Sequence, residues 1–106
     1  MSDLVLIQSV PPVAVLTLNR PERHNSLVPA LLEQLLDALD QVGHSAGLRA
    51  VVLQANGRSF STGGDLRGFQ EHLAEITAYS QRLVNLLNQA ILAMIALPVP
   101  ARPGAR

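Results

Sequence analysis

Leu31, Leu32, Leu35, Leu36, Leu39 and Val42 recur at the spacing of one helical face, while Glu33, Gln34, Asp37 and Asp40 take the other. The spacing predicts an amphipathic helix that starts at Pro29 and leaves at Gly43, with Val28 in the N-cap slot, where it offers no side-chain acceptor. Upstream, residues 4–8 and 13–18 are short β-branched or leucine-rich runs separated by Pro11 and Pro12, which predicts a strand, a turn and a second strand. Residues 48–54 read as a buried strand. Beyond Leu66 a helical pattern runs through Leu73 and Ile76, then through Leu83, Leu86, Leu87, Ala90, Ile91, Met94 and Leu97. A single helix of that length is long for so small a domain, so two are expected, with a break at 77–80 and an end at Pro98 and Pro100. The expected order is strand, strand, helix, strand, helix, helix, an α/β arrangement. Residues 98–106, PVPARPGAR, have a composition that neither helix nor strand favours and are expected to be a disordered tail.

Two polar segments interrupt this pattern. Residues 19–26, NRPERHNS, contain Pro21 and read as a surface loop whose Arg20, Arg23 and His24 are free to meet a ligand. Residues 55–66, ANGRSFSTGGDL, lead from the third strand into a helical region. Gly63 and Gly64 have no Cβ to bar unusual φ values or the close approach of a ligand, so neighbouring N–H groups there could converge on one oxygen. The same residues also read as a tight turn in which the Asp65 carboxylate caps the next helix. The segment lacks the Gly-Lys-Ser/Thr ending of a P-loop and the Gly-x-Gly-x-x-Gly order of a dinucleotide fingerprint.

Composition narrows the chemistry. With 106 residues, 48% of them hydrophobic and 15% charged, the chain suits one packed domain and not a disordered segment. Eight basic and eight acidic residues cancel, which gives no electrostatic reason to expect nucleic acid or an anionic membrane as partner. Every basic residue is Arg, so Schiff-base chemistry on lysine is excluded, and the absence of Cys excludes disulfides, thiolate nucleophiles and cysteine metal sites. The first residues carry Asp3 and no basic residue ahead of a short apolar run, unlike a secretory signal, and a cytoplasmic location is expected. The apolar stretch 90–99 is too short to cross a bilayer and reads as core. Glu71, His72 and Glu75 lie at helical spacing and read as a charged, solvated face, and His44 as a cation near a helix C-terminus; no metal site is expected.

LTLNRPERHNSL at 16–27 and ANGRSFSTGGDLR at 55–67 together resemble the crotonase family, the enoyl-CoA hydratases and isomerases. The leucine-rich helix and AVVLQA strand between them match that family's layout, and the likeness covers about residues 3–99, the N-terminal portion of a crotonase-like ββα spiral, incomplete by comparison with the family. The resemblance implies a partial acyl-CoA-binding domain over residues 1–97. It makes the Gly64 N–H one of two oxyanion donors to an acyl-CoA thioester, with Thr62, Gly63, Gly64, Asp65, Leu66 and Arg67 along the acyl-CoA path. Arg23 and His24 fall near its adenine or phosphate end, where the planar fork of an Arg suits phosphate. Asp65 is structural in this reading, and coenzyme A enters only as part of the substrate, with no separate cofactor.

The family's second glycine-rich segment and following acidic residues have no counterpart here, and the pattern departs at Pro100. The resemblance therefore implies hydration or isomerisation of enoyl-CoA in an intact member and a truncated, inactive form in this chain. A non-catalytic CoA-binding or subunit-interaction module is the alternative. A sheet ending after three strands exposes an edge, and a helix face at 83–97 lacks cover, so self-association or a homo-oligomer is expected.

Overall fold

The computed structural model describes residues 3–104. Strands β1 (Val5–Val10) and β2 (Val13–Leu18) form an antiparallel hairpin around Pro11-Pro12, with Val5 opposite Leu18 and Val10 opposite Val13. Helix α1 (Pro29–Gly43) then returns the chain to β3 (Ala50–Ala55), which runs parallel to β2 with Val13 beside Ala50 and Leu18 beside Ala55. Helices α2 (Leu66–Glu71) and α3 (Ile76–Ile95), joined through a 3₁₀ turn at Leu73–Glu75, lead to β4 (Ala101–Pro103), parallel to β3. The sheet order is β1-β2-β3-β4. Two successive crossovers between parallel strands thus follow one hairpin, as a long connection to a parallel neighbour requires.

The periodicity of α1 lies where the spacing put it. Leu31, Leu32, Leu35, Ala38, Leu39 and Val42 are buried against Ala14, Leu16 and Leu18 of β2 and Val51 of β3. Alternation along β2 sends those three residues to one face, and α1 covers it. Leu83 and Ala90 of α3 join this core, with Leu86, Leu87, Met94 and Leu97 packed beside them, whereas Ile91 stays 42% exposed. Val28 is the N-cap of α1 and makes no side-chain capping bond, as its apolar side chain dictates. Gln34, on the polar side of the helix, is not idle: its Oε1 accepts from the N–H groups of Leu4 (2.7 Å) and Val5 (3.1 Å) and fixes the start of β1.

Two expectations are corrected. The helical pattern breaks at His72–Glu75 and not at 77–80: the His72 backbone leaves helical geometry (φ −118°, ψ 26°) and its ring nitrogen Nδ1 bonds the Gly68 carbonyl oxygen at 2.7 Å. Residues 98–104 are not a disordered tail. The outer edge of β3 offers unpaired backbone groups, and the chain supplies partners: Val51 N–H donates to Pro100 O (3.0 Å) and Gly104 N–H to Leu53 O (2.8 Å). In this register Pro103, which has no N–H, faces its missing donor to the outside of the sheet, the position where a strand tolerates proline. Residues 105–106 lie outside the described residues.

On the other side of the sheet, β1 keeps only Val5 buried, and Leu6, Ile7 and Val10 are exposed. Among the described residues no helix is long and apolar enough to cross a membrane.

Candidate functional site

The loop after β2 and the loop after β3 meet at the carboxyl ends of their strands, where ligands settle in open α/β sheets. Asn25 joins them. It is fully buried, sits at φ +53° beside His24 at +54°, and its Nδ2 donates to the carbonyls of Asn56 and Ser59, each at 2.8 Å. Its Oδ1 accepts from Arg20 N–H (2.7 Å) and its carbonyl from Ser61 Oγ (2.8 Å). A short side chain that tolerates the left-handed region and both donates and accepts suits this position.

Beyond this joint, Leu27 forms an isolated parallel bridge with Gly64. Leu27 N–H donates to Gly63 O (2.7 Å), and Asp65 N–H donates to Leu27 O (3.0 Å). The Gly63–Gly64 peptide is trans, so fixing the Gly63 carbonyl toward Leu27 turns the Gly64 N–H the opposite way. That N–H donates to no protein atom among the described residues. The two glycines differ in what requires them. Gly63 has φ +89° and open space where a Cβ would stand; Gly64 has no such φ, but a Cβ there would come within 2.9 Å of Phe69 Cε2. Gly63 N–H is taken by Ser61 Oγ at 3.2 Å.

Asp65 is both cap and anchor. Its Oδ1 accepts from Gly68 N–H (3.1 Å) and Arg23 Nη2 (3.2 Å), its Oδ2 from Arg20 Nη1 (2.6 Å) and Ser26 Oγ (2.9 Å). Burial acts to raise its carboxyl, but Arg20, the Gly68 N–H, Ser26 and Arg23 outweigh it and hold the group well below the usual carboxylate range. Below α2, Tyr79 packs edge-on against Phe69 (5.4 Å between centroids) and stacks on His72 (4.2 Å). The Tyr79 hydroxyl lies where a Cβ on Gly68 would project. Gly68→Ala is therefore expected to cost about 1–3 kcal/mol despite the helix propensity gained, because the Tyr79 hydroxyl must shift and with it the ring packed on Phe69 and His72. Thermal melting with the near-ultraviolet signal of Tyr79 checks this; an unchanged midpoint and band would contradict it.

Arg23, His24, Ser26, Thr62, Gly64, Asp65 and Leu66 border one open hollow of about 380 Å³. Six of the eight residues expected at the site thus come together. Gly63 shapes the loop without lining the hollow, and Arg67 faces a larger cleft of about 580 Å³ between α1, α2 and α3. The two cavities share only Asp65. The larger contains neither glycine, and its Arg82 and Glu33 are paired with each other at 2.7 Å. The smaller is the better candidate because the unpartnered N–H belongs to one of its walls. Arg20, which its place in a polar loop suggested would meet a ligand, commits its Nη1 to Asp65 and Ser26 and borders the larger cleft and not the hollow. Arg23 is half-buried with one nitrogen on Asp65, while His24 is exposed.

The family model for enoyl-CoA hydratase/isomerase matches residues 9–101. The chain belongs to the enoyl-CoA hydratase/isomerase family. A Mycobacterium bovis protein named as a probable enoyl-CoA hydratase is 39% identical over 103 residues, covering 92% of this chain and 36% of its own length. A trans-2-decenoyl-[acyl-carrier-protein] isomerase of Streptococcus mutans is 36% identical over 89 residues, 83% of this chain and 34% of the relative. Among solved structures, an enoyl-CoA hydratase of Mycobacterium smegmatis superposes with a TM-score of 0.84 at 35% identity, over 96% of this chain and 39% of the other. The chain thus spans little more than a third of the relatives it matches, and its fold is that of an N-terminal part of the crotonase architecture.

Within this enoyl-CoA hydratase/isomerase framework, four polar residues escaped the sequence reading: Arg20 as an anchor, Asn25, Ser26 and Ser61. Their roles depend on partners 31 to 45 residues away, or on backbone carbonyls, and leave no local pattern. The available signal was the density of Asn, Arg and Ser in 19–26, which marks side chains able to satisfy buried backbone.

Proposed function

We propose that the hollow beside Gly64 binds an acyl thioester carried by coenzyme A, and that the Gly64 N–H is one of two donors that polarise the thioester carbonyl. The observation that carries this reading is the Gly64 N–H itself, fixed in direction by Leu27 and left without a protein partner among the described residues. A donor held in place before the ligand arrives stabilises developing negative charge without reorganisation. Thr62, Gly64 and Leu66 line the hollow, and the 78% exposed Leu66 offers apolar surface to an acyl or pantetheine chain. Arg23, with donors beyond the one spent on Asp65, and His24 also line the hollow and suit the phosphate or adenine end. The Streptococcus relative's name points to a thioester on a carrier protein, and the carbonyl chemistry served by Gly64 is common to both carriers.

Hydration or isomerisation of an enoyl thioester also needs a second donor and a group that moves protons. Asp65 is not that group, because both its oxygens are committed. Losing one oxyanion donor costs about 3 kcal/mol, so the Gly64 N–H acting without a second donor is expected to bind a thioester without appreciable turnover. Calorimetric titration tests the proposal, since a chain without Trp gives little fluorescence. Acetyl-CoA is expected to bind about tenfold more tightly than CoA, the worth of one added hydrogen bond. Equal affinities would favour a non-catalytic CoA-holding module; binding of neither overturns the reading, and robust turnover of crotonyl-CoA overturns the inactivity.

A further inference from the structure

We infer that Arg20 is a positioning residue that orients and polarises the Gly64 N–H through two consecutive peptide units, an inference that rests on Gly64 being the thioester donor. The relay is a chain of hydrogen bonds. Arg20 Nη1 donates to the carbonyl oxygen of Ser26 at 3.0 Å. That carbonyl shares a peptide unit with the Leu27 N–H, which donates to Gly63 O at 2.7 Å. The Gly63 carbonyl in turn shares its peptide unit with the Gly64 N–H. A cation at one end of such a chain draws electron density along it and makes the terminal N–H a stronger donor.

The geometry makes Arg20 a clamp as well. The same Nη1 reaches Ser26 Oγ (2.9 Å) and Asp65 Oδ2 (2.6 Å), so one nitrogen grips the residue before Leu27 and the residue after Gly64, the two flanks of the bridge. The other end of Arg20 is fixed too: its N–H donates to Asn25 Oδ1 at 2.7 Å, and its carbonyl accepts from Asn25 N–H at 2.8 Å. Gly63 and Gly64 have little conformational preference of their own, so the direction of the peptide between them depends on these external bonds. Arg20 is 17% exposed at its side chain, and its bonds to Ser26 and Asp65 are part-buried, where water competes poorly.

The test compares the full chain with Arg20→Met and Arg20→Lys, using [1-¹³C]acetyl-CoA as probe. In the unsubstituted chain the bound carbonyl resonance and the Gly64 amide proton are expected to move downfield relative to free acetyl-CoA and to the CoA complex. In Arg20→Met both shifts shrink, the preference for acetyl-CoA over CoA falls about tenfold, and Leu27 amide exchange quickens at least about tenfold while Leu16 and Val51 keep their rates. Arg20→Lys restores part of the carbonyl shift because it returns the charge. A folded Arg20→Met chain with unaltered Gly64 shift and Leu27 exchange overturns the relay. If the unsubstituted chain shows no thioester-dependent shift but Arg20→Met still alters Leu27 and Gly64, the oxyanion reading fails and the relay stands as a property of the loop. Should Arg20→Met not fold, through-hydrogen-bond couplings from Arg20 Nη to Ser26 ¹³C′ and from Leu27 ¹⁵N to Gly63 ¹³C′ decide in the unsubstituted chain: their presence supports the relay, their absence overturns it.

Discussion

Replacing Asp65 with alanine is expected to lower the free energy of unfolding by about 3 kcal/mol, a large share of what a domain of this size holds. The carboxylate is 2% exposed and is shared by Arg20, Arg23, Ser26 and the first turn of α2. Its loss removes an N-cap, worth about 1 kcal/mol, and leaves the half-buried Arg20 without its counter-charge. Urea titration followed by circular dichroism measures the change; a loss below about 1 kcal/mol would show the network to be ornamental. The same carboxylate sets an acid dependence. Its pKa in the folded chain lies below the unfolded value, so the stability it gives is complete above the unfolded carboxylate pKa near 4 and is lost progressively as pH falls below that. Asp65→Asn, which cannot ionise, is expected to flatten that part of the pH profile; an unaltered acid slope would contradict the assignment.

The second large effect is expected at Asn25. Asn25→Ala strands the Arg20 N–H and the carbonyls of Asn56 and Ser59, and leaves φ +53° to a residue whose side chain makes no hydrogen bond to offset it. The sum is about 3 kcal/mol, with the 56–61 loop released from the 19–26 loop. Asn25→Gly separates the two causes: it accepts the backbone angle but restores none of the bonds, and is expected to recover only about 1 kcal/mol. Chemical denaturation gives the energies, and trypsin cleavage after Arg58 reports the loosened loop. A protease pattern identical to that of the unsubstituted chain would refute the joint.

These two residues also mark how far the sequence could be read. The apolar spacing of α1, β2, β3 and the buried side of α3 was legible because burying one face of a helix or strand leaves a periodic trace. ANGRSFSTGGDLR was legible by resemblance, and Asp65 as a cap by its place before a helical run. Asn25 and Arg20 were not, since a side chain that serves backbone tens of residues away looks the same in sequence as one that serves water. Strand β4 was hidden for a different reason: residues 101–103 have no strand-like composition, and the pairing comes from the free edge of β3. The helical break moved to His72–Glu75 because the His72 ring and the Gly68 carbonyl bond each other, a competition that apolar periodicity does not record.

The placement of Pro103 gives the sheet a direction of growth. On the β4 side an incoming strand would meet, over Ala101–Pro103, the outward N–H of Ala101 and then a pyrrolidine ring that donates nothing. On the β1 side it would meet six residues without proline, among them the exposed Leu6, Ile7 and Val10. Among the described residues, β1 therefore offers an incoming strand the longer run of backbone donors, and Ala101–Pro103 of β4 the shorter one.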